Sequence, residues 1–139
     1  MDNQAAVGLY EELALTSTRL TGSLNRVLGG VHGISATDLV LMRALSTDAG
    51  MRRIDLAEVL GMTASGVSRA LRPLEKRGLV QSTRDPHDAR ASRTLLTEAG
   101  QTLLAQAGVT AEEKVQHTLG RLYPDEVAAL RRLLAKLRG

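Results

Sequence analysis

Apolar residues recur along most of this chain at helical spacing. Leu13, Leu20, Leu24, Val27 and Leu28 fall on one stripe of a helix over roughly 4–28. The glycines of "GGVHG" (29–33) are expected to stop it. "SATD" (35–38) offers a capping serine with an acid three positions on, opening a second helix over "DLVLMRALS" that ends near "TDAGM". A short helix, "DLAEVLG" (55–61), closes at Gly61, and "MTASGVSRALRPLEKRG" (62–78) follows with Thr63 as cap and Gly78 as stop. There the period changes. "LVQSTR" and "RTLLT" are rich in β-branched residues and partly alternate, so they read as two short strands joined by "RDPHDARAS". Thr97 caps a longer helix through about Leu119, and Pro124 with its neighbouring acids opens the last one. The order is four helices, a hairpin and two helices, a mainly α (α+β) fold.

The helix after Thr63 has two different faces. On a wheel of about 100° per residue, Val67, Ala70, Leu71 and Leu74 gather on one side, and Ser65, Ser68, Arg69, Arg72 and Lys76 on the other. Small hydroxyls near a helix N-terminus allow close approach to base edges, and arginine can donate two hydrogen bonds to guanine. An ordinary amphipathic helix with solvated cations has the same pattern. The preceding segment separates the two readings: a short helix, a tight turn at Gly61 and a second helix form the helix-turn-helix layout. The hairpin behind it is then a wing, whose tip can reach an adjacent minor groove. Arg90 and Arg93 become candidates for groove or phosphate contact. Asp88 is assigned to bracing the loop through Arg84 or backbone N–H groups, and Pro86 to stiffening it. Pro73, inside the second helix, cannot donate to the carbonyl of Arg69 and is expected to bend the helix, leaving 64–72 as its reading part.

Charge sharpens this picture. The net charge of +3 is small, but residues 52–93 hold nine basic and five acidic groups while 1–51 hold three and five. The middle third is therefore the electropositive part, as expected of a surface that meets a polyanion. A length of 139 residues suits one domain. The chain has no cysteine, which removes disulfides, thiolate metal sites and thiol redox sensing. No apolar run reaches the length of a membrane span and the start "MDNQAAVGLYEE" is no signal peptide, so the expected location is cytoplasmic, with no membrane partner.

Other chemistries fit less well. A metal site on Asp85, His87 and Asp88 would need three ligands to converge from one tight turn, without a cysteine or second histidine pair in support. No nucleophile with its base and no phosphate-cradling glycine loop marks an enzyme, and no cofactor is implied. A helical dimer that binds only protein partners would keep the core but has no use for cations on the helix face and wing.

"LEKRGLV", Arg84, "DAR" (88–90) and "LTEAG" together resemble the winged-helix core of the multiple-antibiotic-resistance regulator (MarR) family, and helix order and length extend the resemblance over nearly the whole chain. The resemblance implies a homodimer bound to a palindromic operator in double-stranded DNA. About 1–34 and 98–139 would be dimerisation helices and about 35–97 the DNA-binding core. It also implies release by a small anionic or phenolic effector bound between these regions. In that pattern Arg90 enters the minor groove, and Ser65, Ser68, Arg69 and Arg72 face the major groove. The full expected DNA-facing set is Thr63, Ser65, Ser68, Arg69, Arg72, Lys76, Arg84, Arg90 and Arg93. His32 and Arg43 are the groups near the implied effector region able to meet an anion. Only Tyr10 and Tyr123 are aromatic, so stacking of a flat phenol has little to draw on. Independently of the family, Leu13, Leu20, Leu24 and Val27 at one end, and Val127, Leu130, Leu133, Leu134 and Leu137 at the other, are apolar stripes that a single small globule would struggle to cover. A two-fold dimer is the expected solution.

Overall fold

The structure, a computed structural model, describes residues 1–84, 87–88 and 92–139. Its elements are α1 (Asn3–His32), α2 (Ala36–Ala44), β1 (Met51–Arg52), α3 (Arg53–Leu60), α4 (Ala64–Lys76), β2 (Val80–Arg84), β3 (Ser92–Leu96), α5 (Glu98–Leu119) and α6 (Pro124–Arg138). Most boundaries follow from local chemistry. Ser35 and Asp38 form a reciprocal capping box, with Asp38 N–H donating to Ser35 Oγ at 3.0 Å and Ser35 N–H to Asp38 Oδ2 at 2.9 Å. Thr63 and Thr97 each accept from the amide three residues on, at 3.0 Å.

Three expectations are corrected. First, α1 passes through Gly29 and Gly30 and stops only after His32, where Gly33 takes the left-handed conformation at φ 66°. Each glycine costs a helix interior about 1 kcal/mol relative to alanine, but fully buried Leu28 anchors this last turn in the core. Second, α3 begins at Arg53 rather than Asp55, so Asp55 lies in its first turn beside the positive end of the dipole. Helix α4 runs from Ala64 to Lys76 with Pro73 inside it. Pro73 is exposed and near the helix end, so the missing donor falls outside the packed face. Third, the two-stranded wing of β2 and β3 is extended by a strand the sequence reading did not include: β1 joins it in the order β1-β3-β2, with Met51 opposite Thr94 and Arg52 opposite Arg93.

One core holds the helices and the sheet together. Leu28 of α1, Leu41 and Met42 of α2 with Leu45 behind it, Leu56 of α3, and Val67, Leu71 and Leu74 of α4 are all at most 2% exposed. Val80 and Leu96 close it from the sheet and Leu104 and Ala107 from α5. The start of α5 lies against the turn between α4 and β2: Thr97 N–H donates to the Leu79 carbonyl at 3.0 Å, and buried Gly100 passes directly over that carbonyl. By contrast, α6 buries none of its residues.

Thr94, in the central strand, is fully buried, and its hydroxyl has no hydrogen-bond partner among the described residues. A buried hydroxyl without a partner costs about 1–3 kcal/mol of desolvation. Thr94→Val keeps the shape and the β-branch, so it should raise stability by about 1 kcal/mol in urea unfolding; a lower midpoint at unchanged m would mean that the hydroxyl is satisfied in solution.

Candidate nucleic-acid interface

The turn that joins α3 to α4 sets the geometry of the candidate surface. Gly61, at φ 63°, adopts the left-handed conformation that ends α3, and Met62 N–H donates back to the Ala57 carbonyl at 2.9 Å. Thr63 then caps α4, so the second helix starts at once and projects away from the first. Burial follows the wheel read from the sequence: Val67, Leu71 and Leu74 are buried, while Thr63, Ser65, Arg69, Arg72 and Lys76 are exposed. Arg69, Arg72 and Lys76 make no ion pair among the described residues. Their charge is available to an external anion.

Ser68 stands apart from that group. It is half-buried, and its hydroxyl accepts from Arg53 Nη1 at 3.0 Å. The other guanidinium nitrogen of Arg53 pairs with Glu75 Oε1 at 2.7 Å and reaches Ser82 Oγ at 3.5 Å. Arg53 thereby ties the start of α3 to the middle and the C-terminal end of α4 and to β2. Sequence reasoning missed it, because its partners lie 15 to 29 positions away. A lone arginine beside a helix start carries no local sign of them.

The wing arginines also divide. Arg84 is exposed at the end of β2, opposite Ser92. Arg93 is half-buried, and its Nη1 donates to the Gly50 carbonyl at 3.3 Å, so it helps hold the turn before β1 to the central strand. Asp88 is exposed and engages a neighbour. Arg90 lies outside the described residues, as do Asp85 and Pro86.

The two candidate effector groups both lie against α5, His32 from the end of α1 and Arg43 from α2. His32 Nε2 is 2.8 Å from Thr110 Oγ1, and the Arg43 guanidinium lies over Gly108. Neither lines the cavity that opens beside α2. That cavity, about 470 Å³, is bounded by Thr21, Ala36, Thr37, Val40, Leu60 and Met62 of α1, α2, α3 and the turn after it.

The MarR family model matches residues 34–92. Transcriptional regulator HosA of Escherichia coli O111:H- is 31% identical over 97 residues, which is 70% of this chain and 72% of that protein. Among solved structures, Sco3205 of Streptomyces coelicolor, a MarR family transcriptional regulator in complex with DNA, superposes with a TM-score of 0.86 at 24% identity over 99% of this chain and 88% of that one. CouR of Rhodococcus jostii RHA1, bound to p-coumaroyl-CoA, gives 0.83 at 23% identity over 91% and 88%. Both share the fold described above.

Proposed function

The chain belongs to the MarR family of DNA-binding transcriptional regulators rather than to any class of enzyme, and from that premise we propose that it is a homodimeric repressor of a palindromic operator. The observation that carries this reading is the exposed face of α4, whose cations make no ion pair among the described residues. Ser65, Arg69, Arg72 and Lys76, with Thr63 at the cap, meet the major groove, while Arg84 and Arg90 of the wing meet the adjacent minor groove and its phosphates. Ser68 and Arg93 serve this surface chiefly from behind, through Arg53 and the Gly50 turn. Asp88 keeps the wing in shape.

The two-fold assembly is supported by the chain ends. On α6, Leu133 is 47% and Leu137 66% exposed, and on α1 Leu9 is 45% and Leu13 40% exposed. Apolar faces of this extent on both terminal helices mark an association surface. About 1–34 and 98–139 form the dimer, and about 35–97 the DNA-binding core. The regulator acts in the cytoplasm, where operator DNA is reached; among the described residues no helix is long and apolar enough to cross a membrane.

Release by a small anionic or phenolic effector belongs to the same reading. It is supported by the ligand in CouR and by the largely apolar cavity beside α2, whose size suits a small molecule. His32 and Arg43, which lie against α5 outside the lining of that cavity, are the polar groups assigned to an anionic effector.

Mobility shift on genomic fragments tests the core of the proposal. With about six phosphates contacted, raising salt from about 50 to about 200 mM should weaken binding by roughly 10³-fold. Retardation that ignores salt, or a stable monomer in sedimentation at micromolar concentration, would remove the reading.

A further inference from the structure

Arg77 follows the last residue of α4 and bridges two elements that do not adjoin in sequence. Its Nη1 donates to the Gly33 carbonyl at 2.9 Å and its Nη2 to the His32 carbonyl at 3.1 Å. Both acceptors lie at the C-terminal end of α1, where carbonyls lack intrahelical donors and the helix dipole is negative. The planar fork lies over Gly33, whose missing side chain leaves the guanidinium carbon and its two terminal nitrogens 3.5–3.8 Å from where a Cβ would stand. On the far side of the same turn, His32 is bonded through its ring to Thr110 of α5. One polar chain thus runs from the end of α4 through the end of α1 to the middle of α5.

The apolar core already joins α1 and α4, through Leu28, Leu71 and Leu74. Apolar contact is non-directional, however, and permits rotation and sliding. A bidentate charged fork on two fixed carbonyls does not. We propose that Arg77 is a positioning residue that sets the orientation of α4 on the dimerisation helices, and so the distance between the two copies of α4 and the half-site spacing the protein accepts. It touches neither base nor phosphate in this role. The inference rests on the dimer and DNA reading above.

Because the chain has no cysteine, a single Glu58→Cys on exposed α3 allows clean spin labelling, and pulsed EPR then reads the distance across the dimer without DNA. With Arg77 intact, one narrow distribution is expected. Arg77→Ala should broaden it at least about twofold, and Arg77→Lys, which can still donate to one carbonyl, should recover part of the narrowing. Operator affinity should fall about tenfold with an unchanged salt slope, and one base pair inserted between half-sites should penalise Arg77→Ala less than the parent protein. If Arg77→Ala fails to fold, Arg77→Gln carries the same comparison. An unchanged distribution overturns the inference. So does a salt slope shallower by about one unit, which would make Arg77 a phosphate contact. Absence of any inter-label distance in the parent protein would instead strike the dimer reading itself.

Discussion

Gly100→Ala should lower stability by about 2–3 kcal/mol, although alanine is the better helix former. A Cβ on Gly100 would stand 2.0 Å from the Leu79 carbonyl oxygen and 3.0 Å from its carbon. Neither is the end of a flexible side chain, so no rotamer change relieves the overlap. The first turn of α5 must lift away from the α4–β2 turn. Doing so strains the Thr97 N–H bond to the same Leu79 oxygen, and the Thr97 hydroxyl bond to the Gly78 carbonyl beside it. Overpacking costs typically 1–3 kcal/mol and a lost hydrogen bond about 1, against which the propensity gain of about 1 kcal/mol is insufficient. Thermal unfolding should fall by roughly 10 °C. Gly29→Ala is the internal comparison. It is exposed and helical, its Cβ meets nothing within 4 Å, and it should gain up to about 1 kcal/mol. Equal effects at the two positions would refute the close approach of α5 to the Leu79 turn.

Replacing Arg69 and Arg72 together by alanine should abolish most operator binding while leaving the fold alone. Both are exposed and unpaired among the described residues, so the stability change should stay within about 0.5 kcal/mol. A base-contacting arginine carries about 1–3 kcal/mol, so the pair should cost about 3–4 kcal/mol, on the order of 10²–10³-fold in affinity. Fluorescence anisotropy on operator and on unrelated DNA separates two ways of losing it. If the arginines read bases, preference for the operator relaxes and the salt slope hardly moves. If they hold phosphates, affinity falls on both DNAs and the slope becomes shallower by about two units. A double variant that binds like the parent protein would take α4 out of the interface.

The helices, their caps and the two faces of α4 were legible in the sequence because their causes are local. Ser35 with Asp38, Thr63 with Gly66, and Thr97 with Gly100 act across three positions, and the 3.6-residue period sorts Val67, Leu71 and Leu74 from Arg69 and Arg72 without outside help. Gly61 was legible for the same reason, since ending a helix in the left-handed conformation is a property of one residue.

What the sequence left undecided depends on partners far along the chain. Strand β1 is two residues long and has no strand signal of its own; it exists because Thr94 and Arg93 of β3 present free edge groups beside it. The glycines at 29 and 30 remain helical because Leu28 is held by a core drawn from six other elements, a gain that outweighs local propensity. Arginine at 53, 77, 90 and 93 looks alike in sequence. Tertiary structure gives Arg53 to Ser68 and Glu75, Arg77 to the end of α1, and Arg93 to Gly50, while Arg69 and Arg72 make no ion pair among the described residues. An arginine side chain is long enough to reach any of several acceptors, so its role is fixed only when the fold has placed those acceptors around it.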